Sequence, residues 1–172
     1  MQLTLSKSTI RSLRSSDAEA VTKHVGAWSV ARNLSAVPHP YALSMAEEWL
    51  AVECARTPPM HFAITLSDEL AGVIGLRCES GICSHDAEIG YWLGESFWGR
   101  GIMSEAVAAL TEWAFTEAGL VRLHAGVFAR NPASARVLEK AGYQLEGRSR
   151  ARYFREGEYI DSLLYAKVRL PG

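Results

Sequence analysis

Residues 87–128 constrain the fold more than any other stretch. "AEIGYWL" reads as a strand, "GESFWGRG" as a turn bounded by glycines, "IMSEAVAALTEWAFTEAG" as a helix and "VRLHAGVF" as a second strand. Ile102, Ala106, Ala109, Leu110 and Trp113 mark one face of that helix, and Gly119 suits its end. Val121, Leu123, Ala125 and Val127 alternate along the strand that follows, so they share one side of it.

The flanking sequence supplies the remaining elements. Ser16-Asp17-Ala18-Glu19 matches a capping box, and Ala18, Val21, Val25 and Trp28 continue it at helical spacing. A second box, Ser44-Met45-Ala46-Glu47, predicts a helix through Trp49 and Val52 that stops before Pro58-Pro59. "MHFAITL" and "LAGVIGLR" flank the polar triplet "SDE" and predict an antiparallel hairpin. In "NPASARVLEKAGY", Asn131 suits an N-cap, Pro132 the first helical position and Gly142 the end. A last hairpin is expected around Glu156-Gly157. Strands, two early helices and a strand-helix-strand core predict a mixed α+β fold.

Length and charge narrow the function classes. A chain of 172 residues with 48% hydrophobic content buries one sizeable core, which predicts a single domain over residues 1–172. A formal net charge of −1 gives no bulk attraction to nucleic acid or to an anionic membrane. No segment approaches about 18 consecutive apolar residues, and the N-terminus has no apolar run of signal-peptide length. Cys54, Cys78 and Cys83 lack a second Cys/His pair for zinc and are expected to be reduced, buried thiols of a cytoplasmic protein.

Gly99 and Gly101 bracket Arg100 at a helix start. Successive N–H groups point outward there, and bare backbone lets a diphosphate approach them. The turn lacks the Gly-Lys-Ser/Thr ending of a nucleoside-triphosphate loop and the third glycine of a dinucleotide fingerprint. Taken alone, the pair is weak evidence for a ligand and more often marks only a tight turn.

The order of these motifs resembles the GNAT superfamily of N-acetyltransferases and, within it, the ribosomal-protein N-terminal acetyltransferases. The resemblance runs from "IRSLRSSDAEAV" through "PHPYALSMAEEWL", "AGVIGLR" and "AEIGYWLGESFWGRGIMSEAV" to "ARNPASARVLEKAGYQLEGRSR" and the closing hairpin. It implies the GNAT fold, a mixed and mostly antiparallel central sheet splayed at its middle and flanked by helices. It also implies acetyl-coenzyme A as co-substrate, with no metal. The family's Gln/Arg-x-x-Gly-x-Gly/Ala motif reads Ser96-Phe97-Trp98-Gly99-Arg100-Gly101 here, Ser96 departing at the first position. By resemblance, backbone amides of Trp98, Gly99, Arg100, Gly101, Ile102 and Met103 hold the pyrophosphate. The strand edge at Tyr91, Trp92 and Leu93 pairs with the pantetheine arm, as a peptide adds to a sheet. Asn131 matches the position whose side chain reaches the pantetheine, beside its reading as an N-cap.

Acetyl transfer to an amine needs a deprotonated acceptor, a stabilised oxyanion and a neutralised thiolate. No covalent enzyme intermediate is required once amine and thioester are aligned. Glu88 resembles the catalytic glutamate of histone-acetylating relatives, against the alternative of a salt-bridged strand carboxylate. The family's acidic tyrosine falls at Leu138 and is absent. Ser134 matches the serine that the ribosomal branch offers to the sulfur, while the carboxylate of that branch's last hairpin aligns with Tyr153. Trp49 and Trp113 are read as core, and His85 beside Asp86 as a loop residue.

The expected acceptor is a primary amine, either a protein N-terminus or a small molecule. The alternative is a non-catalytic coenzyme A-binding module. The family's domains often pair, and the apolar strand in "GICSHDAEIGYWL" leaves a homodimer open.

Overall fold

The computed structural model describes residues 2–170. The described residues form eight strands and five helices. They are β1 (Leu3–Thr4), β2 (Thr9–Ser12), α1 (Ala18–Val25), α2 (Trp28–Ala31), α3 (Leu43–Ala55), β3 (His61–Leu66), β4 (Glu69–Cys78), β5 (Asp86–Leu93), α4 (Ile102–Thr116), β6 (Arg122–Phe128), α5 (Pro132–Lys140), β7 (Gln144–Arg155) and β8 (Glu158–Val168). Hydrogen bonding orders the strands β1-β2-β3-β4-β5-β6-β8-β7 in a mixed sheet of an α+β fold. Among the pairings described strand by strand, β5–β6 is parallel, and it needs the α4 crossover that residues 87–128 announce. Its ladder runs from Asp86↔Arg122 to Glu88↔His124. Both strands continue, and β6 stays paired to β8 as far as Phe128↔Ser162.

Two compact units make up the described chain. One takes in the chain up to Leu76 together with Gly90–Ala106; the other holds Arg77–Ile89 and the chain from Val107 onward. The core of the first gathers Leu13, Val21, Val25, Leu50 and Val73, with Trp49 and Trp92 packed against them. In the second, Leu123, Ala125 and Val127 are buried on one face of β6, and Leu138 is fully buried on α5. The hairpin turns lie where their residues allow a left-handed backbone, Ser67-Asp68 between β3 and β4 and Glu156-Gly157 between β7 and β8.

Four local expectations are corrected. The Ser16–Glu19 capping box does not form. A short 3₁₀ turn over Ser15–Asp17 precedes α1, because the Asp17 carboxylate accepts the Arg14 N–H (2.8 Å) and both terminal nitrogens of Arg11 (2.8 and 2.9 Å). Helix α1 ends at Val25, with Trp28 opening the separate α2, and α3 starts at Leu43 without a side-chain cap from Ser44. The cysteines are free thiols as expected, yet all three are exposed. Cys54 lies on an outer face of α3 near Val52, while Cys78 ends β4 and Cys83 lies in the turn beyond it.

Candidate functional site

In the first unit, β5 passes through Gly94 into a 3₁₀ turn over Glu95–Phe97. Close packing requires glycine at position 94, since a Cβ there would lie 2.6 Å from His24 Nδ1. Burial pushes the His24 ring below its ordinary pKa, and the Lys23 charge adds to that. The Phe97 ring packs edge-on against His24 at 5.5 Å, and the Ser29 hydroxyl donates to Glu95 at 2.7 Å. Trp98, nearly half exposed, donates its indole N–H to the Leu93 carbonyl at 2.7 Å, tying the turn back to the strand end.

The chain then enters α4 through two left-handed residues, Gly99 at φ +73° and Gly101 at φ +76°. That conformation is costly for residues with a side chain. A Cβ on Gly99 would meet nothing within 4 Å, so the backbone there faces open space. Ile102 and Met103 are buried. The first-turn N–H groups have no intrahelical acceptors and carry the positive end of the helix dipole. Bare backbone and unsatisfied amides of this kind suit a diphosphate. Ser96 is exposed beside it. Of the strand-edge residues, Trp92 packs on the core, Leu93 is buried and Tyr91 is half-buried.

A second group of polar residues lies in the other unit. Ala87 and Ile89 are buried on one face of β5, and the alternation places Asp86 and Glu88 on the opposite face. On β6, Arg122 and His124 share that polar face. The Glu88 carboxylate accepts from the exposed Arg77 guanidinium, the salt-bridged arrangement weighed from sequence. Asp86 does face a histidine, but it is His124 across the strand pair rather than its neighbour His85. Its two oxygens meet His124 Nδ1 at 3.0 Å and Arg122 Nε at 3.1 Å. Arg122 also forks onto Glu146 at 2.8 and 2.6 Å, which holds the Glu146 carboxyl below its usual range.

Asn131 caps α5 as its sequence requires, its side-chain oxygen accepting the Ser134 N–H at 3.2 Å. Tyr153 packs at a tilt against Phe128 with ring centroids 4.9 Å apart, and its hydroxyl lies 3.7 Å from the Cβ position of Gly126. Among the described residues, no three or more His, Cys, Asp or Glu are grouped to hold a metal ion. No described helix is long and apolar enough to cross a membrane.

A mixed sheet with a parallel β5–β6 step, and a glycine-bounded turn leading from β5 into α4, match the order of elements that the GNAT resemblance implies. The family model for the acetyltransferase (GNAT) domain matches residues 7–144, and the chain belongs to that family. It is similar to the Probable N-acetyltransferase YjcK of Bacillus subtilis (strain 168), 42% identical over 108 residues that cover 62% of this chain and 60% of that protein. It is also similar to the Ribosomal-protein-serine acetyltransferase of Escherichia coli (strain K12), 39% identical over 108 residues, 62% of this chain and 59% of that one. The match therefore spans about 60% of these relatives' length. Mycobacterium smegmatis RimJ, solved in complex with CoA-disulfide, superposes at a TM-score of 0.79 with 26% identity, covering 94% of this chain and 81% of that one.

Proposed function

We propose that the chain is an acetyl-CoA-dependent N-acetyltransferase that moves an acetyl group to a primary amine, either a protein N-terminus or a small molecule, by direct attack on the thioester. The observation that carries this reading is the open left-handed pair Gly99 and Gly101 at the start of α4, inside the span that the family model matches. Bound there, acetyl-CoA supplies the activated acyl group. The chain's own tasks are to hold the diphosphate, free the amine of its proton and stabilise the departing sulfur.

Amides of Trp98–Met103 bind the diphosphate, the Tyr91–Leu93 edge and Asn131 orient the pantetheine, Glu88 takes the amine proton and Ser134 donates to the sulfur. A protein N-terminus, with a reference pKa of about 7.7–8.0 against about 10.4 for lysine, asks least of the base. The name of the Escherichia coli relative, a ribosomal-protein-serine acetyltransferase, favours a protein acceptor. The expected setting is cytoplasmic, with one domain over residues 1–172.

Two features favour a second reading, a non-catalytic coenzyme A-binding module. Glu88 is engaged by Arg77, and a fully buried Leu138 occupies the position of the family's acidic tyrosine. A single experiment decides between the two. Release of free thiol from acetyl-CoA is followed over a panel of amines and N-terminal peptides, beside calorimetric binding of coenzyme A to the wild type and to Gly101→Glu. Amine-dependent thiol release, with binding abolished in a still-folded Gly101→Glu, is expected. Binding without release from any amine leaves the module, and unchanged affinity in Gly101→Glu refutes the cradle.

A further inference from the structure

The turn between β1 and β2 is far from the glycine motif in sequence but is tied to it in space. Leu5 N–H to the Ser8 carbonyl (2.8 Å) closes this turn, which carries Ser6 and Lys7. Glu105, in the first turn of α4, holds it with three hydrogen bonds. Its carboxylate accepts the Ser6 N–H at 2.9 Å, the Ser6 hydroxyl, and the Lys7 N–H at 3.1 Å. Burial alone would push the Glu105 carboxyl up, but these hydrogen bonds and the Lys7 charge outweigh it and hold it below its ordinary value.

The clamp places the Lys7 ammonium against the bare face of Gly101. A Cβ built on Gly101 would lie 2.6 Å from Lys7 Nζ. Among the described residues the ammonium makes no hydrogen bond or ion pair. A flexible, strongly hydrated cation is thus held over the one part of the chain that a diphosphate is expected to approach. Glu105 suits a helix start but on its own repels an anion there. Committing its oxygens to the turn, and setting a lysine beside them, offsets that negative charge at the cradle. A lysine serves as a point charge for phosphate.

We infer that Lys7 is a ligand of the cofactor's diphosphate, closing the open side of the Gly99–Gly101 cradle, and that Glu105 is the residue that positions it. This rests on the coenzyme A reading above.

The test is calorimetry on the full chain with three probes: coenzyme A, dephospho-coenzyme A, which lacks the 3′-phosphate, and pantetheine, which lacks the diphosphate. Lys7→Gln should weaken coenzyme A and dephospho-coenzyme A equally, by about ten-fold, and leave pantetheine unchanged. It should also flatten the salt dependence of binding. Lys7→Arg should restore most of the loss. Glu105→Gln should weaken coenzyme A in the wild type but add little in the Lys7→Gln background, as expected of a residue acting through Lys7.

Wild-type affinity in Lys7→Gln would overturn the inference while leaving the cradle intact. A loss seen with coenzyme A and absent with dephospho-coenzyme A would overturn the diphosphate assignment. Failure of the wild type to bind any phosphorylated probe would overturn the coenzyme A reading and this one with it.

Discussion

Replacing each cradle glycine by alanine separates two costs that the structure assigns to different residues. Gly99 and Gly101 adopt nearly the same backbone, φ +73° and +76°, so the conformational term should be nearly equal at both. Holding an L-residue in the left-handed region costs roughly 1–2 kcal/mol. A less flexible unfolded chain returns about 0.4–1 kcal/mol of that. The net loss is about 1 kcal/mol, a fall in Tm of about 2–4 °C for a chain of this size.

The two variants should part company in binding. At Gly99 the new Cβ enters open space, whereas at Gly101 it falls 2.6 Å from Lys7 Nζ. The contact is with the tip of a flexible side chain, which moves aside at little cost in stability. What is lost is the ammonium's place over the cradle. Gly101→Ala should therefore bind coenzyme A more weakly than Gly99→Ala, and the difference should largely vanish when both are made in Lys7→Gln. Thermal unfolding by circular dichroism and calorimetric titration measure the two quantities. A Tm at or above wild type in both variants would refute the left-handed turn, and a difference in affinity that persists in Lys7→Gln would refute displacement of the lysine.

The remaining predictions concern proton transfer and acid stability. Glu88→Gln should lower turnover by about 10²- to 10⁴-fold near neutral pH, with the deficit shrinking as pH rises and the amine deprotonates unaided; Ser134→Ala should lose turnover without that rescue, and steady-state rates across pH distinguish them. Glu53, buried on α3, accepts from Arg56 and meets His61 Nδ1 at 2.8 Å; burial raises its carboxyl, but these partners outweigh it and leave it below the ordinary value of 4.5. Because its folded-state pKa is depressed, its contribution is present above about pH 4.5 and is lost as pH falls through the folded value, so Glu53→Gln should lose stability less steeply below that pH, by at most one bound proton, in urea unfolding followed from pH 6 to 3.

What could be read from the sequence follows from where each element finds its partners. Helix α5 carries its own start and stop, because Asn131 caps its first turn and Gly142 takes φ +84° just past its end. The glycine turn before α4 is legible for the same reason, since strand, turn and helix are consecutive and their backbone requirements are local. The capping boxes at Ser16 and Ser44 are equally local patterns, yet neither forms. At the first, the Asp17 carboxylate accepts the Arg14 N–H and pairs with the buried Arg11, so the chain turns at Ser15 and α1 starts without Ser16 as its cap. Asp86 shows the same competition, since adjacency suggests His85 and the parallel register delivers His124.

The Lys7–Glu105 clamp lies at the far end of this scale. Its residues are 98 positions apart, and Lys7 belongs to no motif. The signal available in the sequence is a lysine in a tight turn of polar residues, which by itself reads as solvent-facing. Only the fold shows that this turn ends on α4, and only the bare Cα of Gly101 makes room for the ammonium that arrives there. A side chain at position 101 would therefore take away both parts of the cradle, the amide access that the glycine motif announces and the charge that only the folded chain supplies.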